Sequence, residues 1–510
     1  MTESGADIIT ILSQNYRECY DIIIDSIKND LPTLYSCIHV NRSFCRIFIP
    51  ILWRNPFRFI KTDQKLIQIF NTLIYCLDPS IKIKEIPTSK SYFDYHTLIK
   101  EFELNPLQRG LRLWNLKYLS KHNEKAFQIS CDKKLRKKVV KLNKYIGELF
   151  FSKRNQFEFI NIFYNDLLFA PKSLLDVCEF KNHEESLIKV NKLSIGFFHK
   201  SNANLIPVIT EYFAKLQKVL SPNIQHLQIS IDTTRQHKTL SNNLINLIKS
   251  QQCLKSLMIG LFWSNLQNKP LLFALQKQSK SLTFLRVGCG NFQIPTSTLL
   301  SILRQLPNLI TLEFRLITMH SDKDVSIDIS YCSFIKEVQQ QCHLNITHFH
   351  LIISRNYSFA DLIIILKNLR LIHLKINQTS SNRNYLLGCV HLYKEFSQAI
   401  PPSLEILEVD FVVSDAFLET LLNETKINLQ CIRLYRFEYW DTSLRIFSNY
   451  AKRKKCFREL GFSHILHFSK KLLMEARKLF RIIKYSNDEI LSPFYDVPIS
   501  NSYWSNRVTE

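Results

Sequence analysis

The chain has 510 residues, 46% hydrophobic and 22% charged, with a formal net charge of +23; that balance is globular and excludes a disordered chain. Only nine glycines are present, which argues against chemistry built on glycine-rich phosphate loops. The start, MTESGADIITILSQ, lacks the basic head and apolar core of a secretory leader, and no run of about 18 uncharged apolar residues follows.

A cytoplasmic or nuclear protein with no membrane segment is therefore expected. The thirteen cysteines are odd in number, scattered and without a C-x-x-C pair, and they read as reduced thiols. Abundant Lys, Asn, Ile, Phe and Tyr with little Gly or Pro is what an AT-rich coding sequence produces. The positive charge alone therefore does not mark a nucleic-acid binder, which needs a concentrated stripe.

The first elements lie between residues 14 and 57. Ile23, Ile24 and Ile27 have helical spacing, and NDLP (29–32) stops that helix. TLYSCIHV leads into VNRSFCRIFIPILWRNPF (40–57), where Val40, Phe44, Ile47 and Ile51 share one helical face. Pro50 predicts a corner there, with a second turn carrying Leu52 and Trp53. Three short helices around one apolar cluster are expected, too small a unit to be stable without a neighbour or partner.

From about 60 to 165 the pattern is helical and irregular. KLIQIFNTLIYCL (65–77) places Leu66, Ile69, Leu73 and Leu77 on one stripe, and DKKLRKKVVKLNK (132–144) is an amphipathic helix with a solvated basic face. KRKK (452–455) is a short basic run of the kind that nuclear import signals use and that also arises by chance.

Beyond about 185 the chain repeats itself. KLSIGF (192–197), HLQISI (226–231), SLMIGL (256–261), FLRVGC (284–289), TLEFRL (311–316), HFHLII (348–353), HLKINQ (373–378), ILEVDF (406–411), CIRLYR (431–436) and ELGFSH (459–464) align, each apolar at its second and fourth positions. Leu254, Leu282, Leu309, Leu404 and Leu429 add an apolar residue three places earlier, giving L-x-x-L-x-L at intervals of roughly 25 to 37 residues. Helix-like segments such as SNNLINLIKS (241–250) and STLLSILRQL (297–306) lie between. These are degenerate leucine-rich repeats: the Asn or Cys that usually ties the turn is replaced by apolar residues such as Phe198, Phe262 and Phe437.

No Walker-type loop, G-x-G-x-x-G, G-x-S-x-G or H-E-x-x-H motif occurs, so a non-catalytic protein without cofactor is expected. His348 and His350 share a strand face and His373 aligns with His348, but the sequence offers no carboxylate or thiol to complete a metal site. The residues between the inward positions of each repeat, Ser194, Gln228, Met258, Arg286, Glu313, His350, Lys375, Glu408, Arg433 and Gly461, are expected on the exposed face of the sheet. Their alternating sign suits a protein partner better than a phosphate backbone.

A three-helix start, a helical connector and leucine-rich repeats is the order seen in F-box proteins. TLYSCIHVNRSFCRIFIPILWRNPF (33–57) resembles the F-box of a large expanded fungal family, through Leu34, Ser36, Cys37, Val40, Asn41, Arg42, Cys45, Pro50, Leu52 and Trp53. Phe44 stands where that family usually has Trp, and its opening Leu-Pro is missing, LSQNYREC (12–19) standing near that place. The resemblance implies an α/β protein with an F-box at 1–60, a helical connector or start of solenoid at 61–165, a horseshoe-like repeat solenoid with a parallel concave sheet at 166–465, and a C-terminal helix and tail at 466–510. It implies a substrate receptor of a Skp–cullin–F-box ubiquitin ligase. Ile23, Ile24, Leu34, Cys37, Val40, Asn41, Phe44, Pro50, Leu52 and Trp53 would dock the Skp-family adaptor. Met258, Arg286, Glu313, His350, Lys375, Glu408 and Arg433 would hold an unknown protein substrate. The alternative is a repeat scaffold or RNA-associated protein with a relict box.

Overall fold

The computed structural model describes residues 17–58, 60, 62–77, 93–119, 133–152, 154–164, 183–198, 206–220, 222–232, 238–261, 268–290, 305–317, 346–353, 363, 366, 370–378, 390–424, 427–437, 440–462 and 468–484. Phe262 and most of 297–306 lie outside them. The chain forms two compact units, residues 1–194 with 218–221, and residues 195–217 with 222–510.

The first unit opens with α1 (Arg17–Ile27), α2 (Leu31–Ile38) and α3 (Arg42–Arg54). Local capping fixes two of these starts. Asp30 accepts the Thr33 N–H and hydroxyl at the head of α2, and Asn41 accepts the Phe44 N–H at 2.9 Å at the head of α3. NDLP thus begins a helix as well as ending one. The expected corner at Pro50 is absent: α3 runs through it, because Phe48 and Ile49 before it and Trp53 after it are all buried on the same body. The buried face also differs from the expected one. Val40 is exposed, while Phe44, Ile47 and Ile51 are only half-buried.

After α4 (Asp63–Tyr75) and α5 (Tyr95–Leu98) comes β1 (Glu101–Glu103), which pairs in parallel with β2 (Phe159–Tyr164). Helices α6 (Leu104–Leu119) and α7 (Lys133–Phe150) intervene. The repeat pattern therefore begins about 85 residues before the expected onset near 185. Ile99, Phe102 and Leu104 are buried with L-x-x-L-x-L spacing, as are Phe157, Ile160 and Ile162. Phe102 packs against Phe150, Phe151 and Phe157 with ring centroids 5.3–5.6 Å apart. After α8 (His183–Leu187), β3 (Lys192–Phe198) begins in the first unit, and the second unit starts within it at Ile195.

In the second unit ten strands, β4 (His226–Asp232), β5 (Ser256–Leu261), β6 (Phe284–Gly290), β7 (Thr311–Ile317), β8 (His348–Ile353), β9 (His373–Gln378), β10 (Ile406–Val413), β11 (Cys431–Phe437), β12 (Glu459–Phe462) and β13 (Arg481–Lys484), pair in parallel in chain order. The described crossover helices are α9 (Ile206–Val219), α10 (Lys238–Ser250), α11 (Asn268–Lys277), α12 (Val390–Ala399), α13 (Asp415–Glu424), α14 (Trp440–Arg453) and α15 (Lys470–Arg477). Such strand–helix units cannot bury their faces alone, and stacking supplies the core. This parallel array of strand–helix units is consistent with the leucine-rich-repeat pattern of the sequence. The C-terminal region expected as helix and tail contributes a further strand, β13.

One backbone device sets the register from repeat to repeat. At the starts of β2, β3 and β5 to β12 two successive N–H groups converge on a single carbonyl of the preceding repeat. Lys255 and Ser256 donate to Gln225, Thr283 and Phe284 to Lys255, and Arg458 and Glu459 to Gln430, at 2.8–3.0 Å. Buried side chains do the work of the missing Asn. Gln251 accepts the Ile224 N–H, Gln278 donates to the Ile248 and Gln251 carbonyls, and the Tyr450 hydroxyl accepts from Leu429 and donates to Ile427.

Candidate partner-binding surfaces

Two surfaces carry the residues singled out by sequence. On the three-helix unit, Leu34 and Trp53 are interior; the Trp53 ring lies 4.3 Å from that of Tyr95. Asn41 is exposed and serves α3 as its cap. Ile24, Cys37, Phe44, Pro50 and Leu52 are half-buried. Ile23 and Val40 are exposed, Val40 at 62%, and Ile22 at 70% and Tyr35 at 57% join them although sequence reading passed them over. Four large apolar side chains this open thus lie on α1, α2 and the turn after it.

The second surface is a row across the sheet. Register pairs Met258 with Arg286, then Glu313, His350, Lys375, Glu408, Arg433 and Gly461 on successive strands, all on one face. The row lies together as expected, but its exposure does not. Met258, Glu313, His350, Lys375 and Glu408 are buried, Glu408 at 1%. The reason is electrostatic self-pairing: with adjacent strands about 4.8 Å apart, alternating charges reach one another. Arg286 pairs with Glu313, and its Nη1 lies 3.9 Å from the Met258 Sδ. His350 Nδ1 lies 3.4 Å from Glu313. Glu408 gathers His373 Nε2 at 3.1 Å, Lys375 Nζ at 3.4 Å and Arg433 Nη1 at 2.7 Å, while Arg433 Nη2 reaches Glu459 at 3.3 Å.

The titration behaviour follows. Burial alone would raise the Glu408 carboxyl; the His373 hydrogen bond and the Lys375 and Arg433 charges outweigh it and hold the group far below the usual carboxylate range. Glu313 is likewise pushed up by burial, and Arg286 and His350 bring it down to about 2. Burial lowers His350 and His348. Glu459 was missed in the sequence because it sits one row over, opposite Cys431, and reaches Arg433 diagonally. The carboxylates found beside His350 and His373 correct the expectation that none is near, yet among the described residues no group of three or more donors is placed to hold a metal ion. Three strong cations and three carboxylates alternate along this face, which is unlike the uniform positive groove that a phosphate backbone requires. No helix among the described residues is long and apolar enough to cross a membrane.

No family model and no curated relative matches the chain. Among solved structures it is similar to the leucine-rich repeat-containing protein LegL7 from Legionella pneumophila, at 14% identity and a TM-score of 0.35 over 60% of this chain and 92% of that one.

Proposed function

We propose that this protein is a non-catalytic substrate receptor of a Skp–cullin–F-box type ubiquitin ligase, acting in the cytoplasm or nucleus. Its helices α1–α3 grip the Skp-family adaptor and its repeats hold a protein substrate. Such a subunit works by proximity and needs no reacting groups of its own. One observation carries the reading: Phe44, Ile47 and Ile51 form an apolar stripe of α3 that the unit leaves half-open, with Val40 exposed at its head. Helices that bury such stripes against a partner's helices are the usual mode of groove docking. Of the charged row on the sheet, Arg286 and Arg433 keep partial solvent access and are the charges that a protein partner would meet there.

The experiment is co-purification with the Skp-family adaptor. Val40→Asp and Ile47→Asp, both at positions with solvent access, should abolish capture while leaving the circular dichroism spectrum intact. Capture at wild-type levels by both folded variants would overturn the reading.

A further inference from the structure

The KRKK run is not an extended peptide. Lys452 and Arg453 form the last turn of α14, and Lys454 and Lys455 make the turn toward β12. The next repeat places a second basic turn beside it: Arg477 ends α15, Lys478 caps it, and Arg481 opens β13. The two turns are neighbours because α14 packs on α15, β12 pairs with β13, and the Arg481 N–H donates to the Arg458 carbonyl at 2.8 Å. Eight cations, Lys452 to Lys455, Arg458, Arg477, Lys478 and Arg481, thus share one edge of the last two repeats, all exposed except the half-buried Lys454.

This edge differs from the charged row on the sheet. No ion pair joins any of these eight to a carboxylate among the described residues; Arg453 and Lys454 are steadied instead by the amides of Asn423 and Asn428. Between 460 and 484 the only acidic residue is Glu475. Cations in a last helical turn are ordinary partners of the helix dipole. Lys455, Arg458 and Arg481 lie beyond the helices, so that explanation does not cover them.

We propose that this edge binds an acidic, partly apolar peptide segment of a partner protein. The sign of the charge selects an anion. The choice among anions comes from the apolar side chains beside the cations: Met474, 53% exposed, lies one helical turn before Arg477 and Lys478, and Leu479, 37% exposed, follows them in the turn after α15. Single-stranded nucleic acid is held by stacking on aromatic faces, and here Phe457 and Phe480 are buried. A segment of carboxylates flanking leucines matches both features of the edge. The inference does not depend on the adaptor reading.

The test is fluorescence anisotropy with the full chain and a labelled synthetic peptide of glutamates flanking two leucines, alongside an RNA oligonucleotide and anionic lipid vesicles. Saturable peptide binding is expected, weakened about tenfold or more by Arg458→Glu with Lys478→Glu, and unchanged by Lys470→Glu with Lys471→Glu at the other end of α15. Because reversal could perturb folding, Arg458→Gln with Lys478→Gln is measured as well, with an intermediate loss expected. Met474→Ser should weaken the peptide but not a leucine-free polyglutamate. RNA or vesicles binding as tightly as the peptide, or peptide binding indifferent to the edge variants, would overturn the proposal. Adaptor capture is read separately on the same variants and should not change.

Discussion

Replacing Glu408 by Gln keeps its volume and removes the carboxylate that His373, Lys375 and Arg433 share. Removing one partner of a buried ion pair costs about 3–5 kcal/mol, because the remaining charge stays desolvated. Arg433 keeps Glu459 at 3.3 Å, so the lower end, about 3 kcal/mol, applies. The effect belongs to the neighbouring repeats, since stability in such arrays is a sum of local terms. Amide exchange in β9, β10 and β11 should therefore accelerate about a hundredfold, with β4 and β5 little changed. Lys375→Met in the Glu408→Gln background should restore much of the protection, since a buried pair exchanged for apolar volume is often neutral. Acceleration below about fivefold, or spread evenly over the sheet, would refute the reasoning.

Melting between pH 7 and pH 2 should show the row titrating. Glu313 is depressed from 4.5 to about 2, so its contribution is complete above pH 4.5 and is lost as pH falls toward 2; Glu313→Gln should flatten that part of the curve. His350 is lowered from 6.5, so the unfolded chain takes up its proton first and stability falls below pH 6.5, a slope to which His348 and His96 also contribute and which His350→Gln should reduce. Gly110→Ala drives a methyl into the Phe70 ring and should destabilise the first unit by about 1–3 kcal/mol in urea unfolding, with partial rescue by Phe70→Leu. Alkylation without reductant should modify the half-buried Cys37 and Cys45 well before Cys431, whose thiol burial pushes up to about 12; rapid Cys431 labelling would contradict the structure.

The strands of the repeats were legible because each carries two inward apolar residues that nothing else can replace. All ten aligned segments are strands, from β3 to β12, and each begins at the first residue of its segment. Strands β1 and β2 carry the same spacing mostly in Ile and Phe, with Leu104 the one leucine, and were hidden by helical sequence around them. RIIK, which became β13, has no alternation to reveal it. At the candidate surfaces, the pattern located the charged row but not its burial, since burial depends on which partner each side chain meets across the strands. Pro50 misled for a related reason. A local rule predicted a break, and packing of Phe48, Ile49 and Trp53 overrode it.

The end of α3 is tied into the first strand pair. The Lys100 N–H donates to the Arg54 carbonyl at 3.0 Å, the Arg54 guanidinium bridges Glu101 and Glu158, and the Asn55 amide reaches Glu101 and Glu103. This joint is braced: where a flexible tether would let the helices sample a cone of directions, contacts to three carboxylates and one backbone bond favour one azimuth on β1 and β2. An adaptor docked on α1–α3 as proposed would inherit that heading. A tether spreads the thing it carries through a volume and dilutes it, whereas a clamped joint delivers it to one place at an undiluted local concentration. Swapping Arg54 for a short neutral residue would then leave the grip of the helices unaltered and blur their aim.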